Sequence, residues 1–300
     1  MSGYRGRFAP TPSGPLHFGS LVAALASFLD ARQAGGEWRL RIEDIDPPRC
    51  PAEAAAEIQR QLTAFGLHWD GPVLWQHDRD DAYAAALVRL VEQGLAYPCS
   101  CSRKQWRDYA VYPGWCRNGV REPGKPVAWR LRSDLGLRPV VWQDRLFGEQ
   151  RFDPPELGDV VLRRKDGLWA YQLAVVVDDA DQGITDVVRG FDLLDNTPWQ
   201  RQLQHALGFP APRYLHLPLI IGEGGQKLSK QNLAPPLPLE DARVRPLLHR
   251  ALASLDQAPP RELATAPVAE QLAWAVAAWR PERIRPDPHR PAKPDGLPTR

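Results

Sequence analysis

His17 and Gly19 lie in the stretch FAPTPSGPLHFGS, Phe8 to Ser20, where three prolines stop a short strand and a helix begins. A helix start presents N–H groups with no partner in the helix and the positive end of the dipole, which suits phosphate. Gly14 and Gly19 carry no Cβ, so a ligand can approach the backbone closely, and His17 adds a donor. About two hundred residues later, GGQKLSKQN (Gly224 to Asn232) sets Lys227 and Lys230 around a serine in a glycine-led loop. Two such lysines can neutralise a polyphosphate. A third group is Cys99, Cys101 and Cys116, with Cys50 apart. In a reducing compartment clustered cysteines point to metal before disulfide. Three thiolates suit zinc, whose structural sites take four ligands. No histidine lies between His77 and His205. The fourth ligand is therefore Tyr112, Asp108 or water, and a metal-free thiol cluster is the alternative. His77, Asp78 and Arg79 read as a helix N-cap region with surface charges, and His68, His205 and His216 stand isolated.

The elements that must position these groups follow from periodicity. Residues 5–9 form a strand. Leu21, Val22, Leu25, Phe28 and Leu29 fall at helical spacing between Leu16 and about Gln33, and Gly35-Gly36 ends that helix. EWRLRIEDID alternates as a strand, and CPAEAAAEIQRQLTAFG is a helix with Pro51 near its start. Strand, helix, strand, helix argues for a parallel α/β sheet, whose ligands bind at the carboxyl ends of strands. DRDDAYAAALVRLVEQG is a third helix. From about 97 to 167 the rhythm breaks into short β-type runs with turns such as Lys165-Asp166-Gly167, and GDVVLRRKDGLWAYQLAVVVDDA is read as part of that β-rich series. GITDVVRG is a further strand, NTPWQRQLQHALG a helix capped at Asn196 or Thr197, and the rest largely helical until a Pro- and Arg-rich frayed tail after about 281.

The whole chain sets bounds. It has 300 residues, 43% of them hydrophobic and 25% charged, which describes an ordinary globular protein. The formal net charge is only +2, so a nucleic-acid partner would need a local basic patch. MSGYRGRF has no apolar run like that of a signal peptide, and no stretch of about 18 apolar residues exists. The expectation is a cytoplasmic protein with no membrane contact, and a monomer by default.

PLHFGS and KLSK together resemble the paired ATP signatures of class I aminoacyl-tRNA synthetases, in the same order and separation. RFAPTPSGPLHFGSLVAAL, LRIEDIDPPR and DVVRGFDLLDNTPWQ resemble the glutamate and glutamine branch of that class. The cysteine cluster, Gln231 where serine often ends the loop, and a chain stopping about where an anticodon-binding domain would begin resemble the glutamyl-Q tRNA(Asp) synthetases, a truncated family. The resemblance implies an α/β fold: a Rossmann-like parallel sheet, an inserted zinc-containing β-rich unit and a helical C-terminal part. It implies a catalytic domain at 1–95 plus 168–195, an insertion at 96–167, a mostly helical domain carrying the KLSK loop at 196–280 and a flexible tail at 281–300.

It also implies an ATP-dependent ligase. L-glutamate is activated to glutamyl-adenylate and passed to queuosine in the anticodon of tRNA(Asp), with Mg2+ accompanying ATP. The alternatives are charging of tRNA(Glu), or a tRNA-binding module without catalysis. His17, Gly19, Lys227 and Lys230 would serve ATP; Phe18 and Ser20 stand at the family's usual Ile and second His. Arg7, Phe8, Ala9, Pro10, Thr11, Glu43, Tyr171 and Arg189 would line the glutamate pocket. Arg7 and Arg189 suit a carboxylate, because a guanidinium can grip it at two points, Tyr171 can donate to it, and Glu43 can accept from the α-ammonium. The family pattern, Cys-x-Cys followed by Tyr and then Cys, implies one structural zinc on Cys99, Cys101, Tyr112 and Cys116.

Overall fold

Gly36 shows how the first two strands meet. A Cβ there would lie 2.3 Å from the Tyr4 carbonyl oxygen, so only glycine lets the chain turn back this closely. The next N–H, of Glu37, donates to that oxygen at 3.0 Å and starts the ladder. The computed structural model describes residues 3–135, 139–221 and 235–291. Lys227, Lys230 and Gln231 lie outside the described residues.

Strand β1 (Arg5–Phe8), helix α1 (Phe18–Gln33), β2 (Glu37–Ile42), α2 (Ala52–Ala64), β3 (Leu74–Trp75) and α3 (Asp80–Glu92) form the first part. β1, β2 and β3 pair in parallel. Next come β4 (Ala96–Cys99), β5 (Ala128–Leu131), β6 (Val140–Asp144), β7 (Gly148–Phe152), the short α4 (Pro154–Leu157) and β8 (Val161–Arg163). Helix α5 (Tyr171–Asp181), β9 (Asp186–Gly190), α6 (Thr197–Leu207), β10 (Arg213–Leu217) and β11 (Leu219–Ile221) follow. The chain closes with α7 (Asp241–Ser254), α8 (Val268–Ala278) and β12 (His289–Pro291).

A second sheet runs β7-β6-β10-β9, parallel except for the β6–β7 hairpin. β9 lies beside β1, where the Thr185 N–H donates to the Arg5 carbonyl at 2.9 Å. The two sheets thus continue one another as a mostly parallel layer. A separate antiparallel sheet, β4-β5-β8, carries the cysteine segment. The largest core packs α1 against β2, α2, α7 and α8. Helix α1 is buried nearly all round, which the alanines among its core residues permit. Among the described residues, no helix is long and apolar enough to cross a membrane.

Three expectations change. YQLAVVVDDA is helix α5, not part of the β-type series. Val175, Val176 and Val177 are all buried, so the run has no polar alternation to distinguish helix from strand. Packing against α3 and α6 decides it. Second, residues 140–152, expected in the inserted unit, pair with β10 in the main layer, and β10 itself arises within the stretch expected to be mostly helical. Third, the frayed tail is ordered over its first part. β12 pairs in parallel with β11, and Ile284 is buried. The Arg290 guanidinium pairs with Asp256, a long-range bond that a local reading of Pro and Arg content does not register.

Candidate active site and cysteine cluster

β1 and β2 point their carboxyl ends at one edge of the layer. Arg7 on β1 and Arg41 on β2 are both buried, which a guanidinium tolerates only with partners. Both reach Asp179, two turns along α5 from Tyr171. Arg7 Nε and a terminal nitrogen donate to its two oxygens at 3.1 and 3.4 Å, and Arg41 donates at 2.7 Å. Burial works against the Asp179 carboxylate, yet Arg7 and Arg41 hold it below the usual range. The two-point grip expected of Arg7 is therefore given to Asp179, leaving its other terminal nitrogen for a ligand.

Glu43 follows the end of β2, and its N–H donates to the Pro10 carbonyl at 3.0 Å, tying it to the loop of Ala9, Pro10 and Thr11 after β1. Phe8 stacks on Trp38 at 6.3 Å; Ala9 and Pro10 are half-buried and Thr11 is exposed. Glu43 is 7% exposed, and its Oε1 has no hydrogen-bond partner. The nearest cation, Arg41 Nε, is 3.6 Å away and also lacks a bond. Burial pushes the Glu43 carboxyl up to about 7, against the pull of Arg41 and Arg7. Burial likewise raises the Tyr171 phenol, which Arg189 opposes.

Arg189, on β9, is 5% exposed. One terminal nitrogen donates to the Tyr171 hydroxyl at 3.4 Å and the other to Thr197 Oγ1 at 2.8 Å. Its Nε donates to His216 Nε2 at 3.1 Å. His216, which the sequence left isolated, is fully buried on β10, and its Nδ1 meets Asp144 Oδ2 at 2.6 Å. Arg7, Glu43, Tyr171 and Arg189 thus converge from β1, β2, α5 and β9. The sequence reading missed Asp179, Arg41, His216 and Asp144. The signal for Asp179 was an acidic pair at the end of an apolar run, legible only once that run is helical.

His17 caps α1, its Nδ1 accepting the Ser20 N–H at 3.3 Å, and Gly19 lies in the first turn. The neighbouring Leu16 N–H donates to Gln61 Oε1 at 2.7 Å. The Leu16 carbonyl accepts the Leu237 N–H at 2.9 Å. The chain returning from the KLSK segment is thereby fastened beside the first signature.

The three cysteine sulfurs lie within 4.8 Å of one another and all three residues are buried. Cys101 and Cys116 Sγ are 3.6 Å apart, and the cysteines are free thiols. The Tyr112 hydroxyl donates to Cys101 Sγ at 3.5 Å and accepts the Cys116 N–H at 3.1 Å. Burial disfavours the Cys116 thiolate, but the Arg121 N–H and the Tyr112 hydroxyl draw its thiol down to about 6. Asp108 points into solvent beside Arg107, with 85% of its side chain exposed. Among the protein groups considered as fourth ligand, Tyr112 is therefore the one at the cluster. Converging sulfur donors, one already favouring thiolate, fit a borderline-soft cation such as zinc.

The family model for the catalytic domain of class I tRNA synthetases (E and Q) matches residues 4–111 and 116–238. A protein of Ectopseudomonas mendocina named glutamyl-Q tRNA(Asp) synthetase is 56% identical over 284 residues, covering 94% of this chain and 95% of its own. One of the same name from Thiobacillus denitrificans is 54% identical over 292 residues, covering 94% and 95%. In fold, the chain matches a glutamate tRNA ligase from Elizabethkingia meningosepticum, solved in complex with its amino acid. The TM-score is 0.82 and the identity 24%, over 97% of this chain and 67% of that one. The signatures, the parallel layer and these matches together make the chain a member of the class I tRNA synthetases of the E and Q type, alongside relatives named glutamyl-Q tRNA(Asp) synthetase.

Proposed function

We propose that the protein activates L-glutamate with ATP and transfers it to the queuosine base of tRNA(Asp). The names of relatives at 54–56% identity over nearly the whole chain support the acceptor. The observation that carries the amino acid is Glu43. A buried carboxylate oxygen without a hydrogen bond, near a Tyr171 hydroxyl that Arg189 holds, suits the ammonium and carboxylate ends of an amino acid. Phe8 at the end of β1 and the loop of Ala9, Pro10 and Thr11 lie beside it, and Arg7 adds one nitrogen.

In the first step an oxygen of the glutamate α-carboxylate attacks the α-phosphorus of ATP, and pyrophosphate leaves. In the second, a queuosine hydroxyl attacks the activated carbonyl, loses its proton and displaces AMP. Neither step uses a protein nucleophile; positioning and charge neutralisation supply the rate. His17 and the backbone around Gly19 hold phosphate at the start of α1, and Lys227 and Lys230 neutralise the departing pyrophosphate. Mg2+ accompanies ATP and is held largely by phosphate and water. Cys99, Cys101, Cys116 and Tyr112 would hold one structural zinc, fixing the segment between β4 and β5.

The test offers radiolabelled glutamate and ATP to three RNAs: tRNA(Asp) with queuosine, tRNA(Asp) without it, and tRNA(Glu). Label on the queuosine-bearing RNA alone is expected. Label on tRNA(Glu) alone would refute the acceptor and keep the activation chemistry. No label, with no glutamate-dependent pyrophosphate exchange, would refute both.

A further inference from the structure

Arg7 and Arg189 are held in opposite ways. Arg7 is paired with the Asp179 carboxylate, so its charge is largely cancelled. Arg189 has no carboxylate partner among the described residues; its fixed partners are neutral. His216 Nε2 accepts from Nε at 3.1 Å, Thr197 Oγ1 accepts at 2.8 Å and the Leu193 carbonyl at 3.3 Å. The remaining terminal nitrogen is left on the side of Tyr171, whose hydroxyl it meets at 3.4 Å.

We propose that Asp144 and His216 form a positioning relay that aims Arg189 at the substrate carboxylate without neutralising it. This rests on the glutamate-pocket reading above. His216 and Arg189 are register partners on β10 and β9, so their side chains share one face of the layer. To accept from Arg189, Nε2 must be the unprotonated nitrogen, and the ring proton then sits on Nδ1. Asp144 fixes that tautomer by taking the Nδ1 proton donor at 2.6 Å. Asp144 is itself locked: it accepts the His216 N–H at 3.3 Å and the Leu146 and Phe147 N–H groups at 3.0 Å each. Both members of the pair are inaccessible to solvent. Burial, helped by Arg189, keeps the imidazole neutral against the pull of Asp144. A carboxylate at position 216 would orient Arg189 equally well but cancel the charge that the substrate needs. The neutral ring passes on the orientation of the β6–β7 turn and leaves the positive charge in the pocket.

Two substitutions separate this role from a merely structural one. In His216→Gln, the longer amide places an acceptor near the former Nε2. In His216→Asn, the shorter amide reaches Asp144 and falls short of Arg189. Glutamate-dependent ATP–pyrophosphate exchange is measured for the native chain and both variants. The Asn variant is expected to raise the KM for glutamate about tenfold, the loss of one well-aimed charge-assisted bond, while the Gln variant stays within about threefold of native. Both are expected to leave kcat and the KM for ATP within about twofold, since uniform binding alone is lost. Equal KM values in the two variants, or a loss confined to kcat, would overturn the relay. Absence of exchange by the native chain would overturn the glutamate reading and the relay with it. On the native protein, nitrogen-15 spectra of the histidines are expected to show His216 protonated on Nδ1; protonation on Nε2 overturns the relay irrespective of how the variants fold.

Discussion

Glutamate binding is expected to weaken as pH falls through neutrality, because Glu43 must be ionised to receive the ammonium group. Burial holds its carboxyl at about 7. The ionised fraction is then about ten-elevenths at pH 8 and about one-eleventh at pH 6, so the KM for glutamate should rise roughly tenfold between them. The substrate's own side-chain carboxyl stays ionised throughout that range, with an ordinary value of about 4.3. The same residue has an opposite effect on folding. A carboxyl moved from 4.5 to about 7 binds its proton more tightly folded than unfolded. Its stabilisation is complete below about 4.5 and is lost as pH rises through about 7, a cost of about 3 kcal/mol at pH 8. Glu43→Gln should therefore raise the KM at pH 8, abolish the pH dependence, and increase the unfolding free energy at pH 8 but not at pH 4. Exchange kinetics across pH 5.5–8.5 and denaturant titrations at pH 4 and pH 8 measure both. A KM flat with pH in the native chain, together with unchanged stability in the variant, would refute the reasoning.

Two further outcomes follow from the buried charges and thiols. Asp179→Asn leaves Arg41, wholly buried, and Arg7 without their carboxylate, and should cost about 3–5 kcal/mol in denaturant unfolding as well as weakening glutamate binding; a cost under about 1 kcal/mol would contradict the role given to Asp179. Protein purified without chelator should carry one zinc per chain and expose only Cys50 to a thiol reagent; stripping the metal should release Cys99, Cys101 and Cys116 and lower the melting temperature. Far less than one zinc, with all four thiols reactive, would leave the cluster metal-free.

The signatures were legible because they are local. PLHFGS needs only a strand end and a helix start, and the structure supplies both around His17. The three cysteines lie within one short segment, so their convergence was readable from spacing, and the resemblance pointed to Tyr112. Arg7, Glu43 and Arg189 were recognised by motif, but their partners were not. Asp179 lies 172 positions from Arg7, and no periodicity joins them. His216 looked isolated because Asp144 is 72 positions earlier, at a hairpin assigned to another unit.

Sequence by itself therefore determined the chemistry on offer: a helix start of the kind that suits phosphate, a lysine pair, a thiol cluster and a set of groups suited to a zwitterion. Each depends on residue type and short-range spacing, which the chain states directly. The tertiary structure alone decided which of those groups keep a free charge. Arg7 is neutralised by Asp179, Arg189 is steered by a neutral His216, and Glu43 is left buried beside Arg41 with one oxygen that accepts no hydrogen bond. Such differences arise from burial and pairing between distant strands, where removal from water makes each missing or present partner decisive.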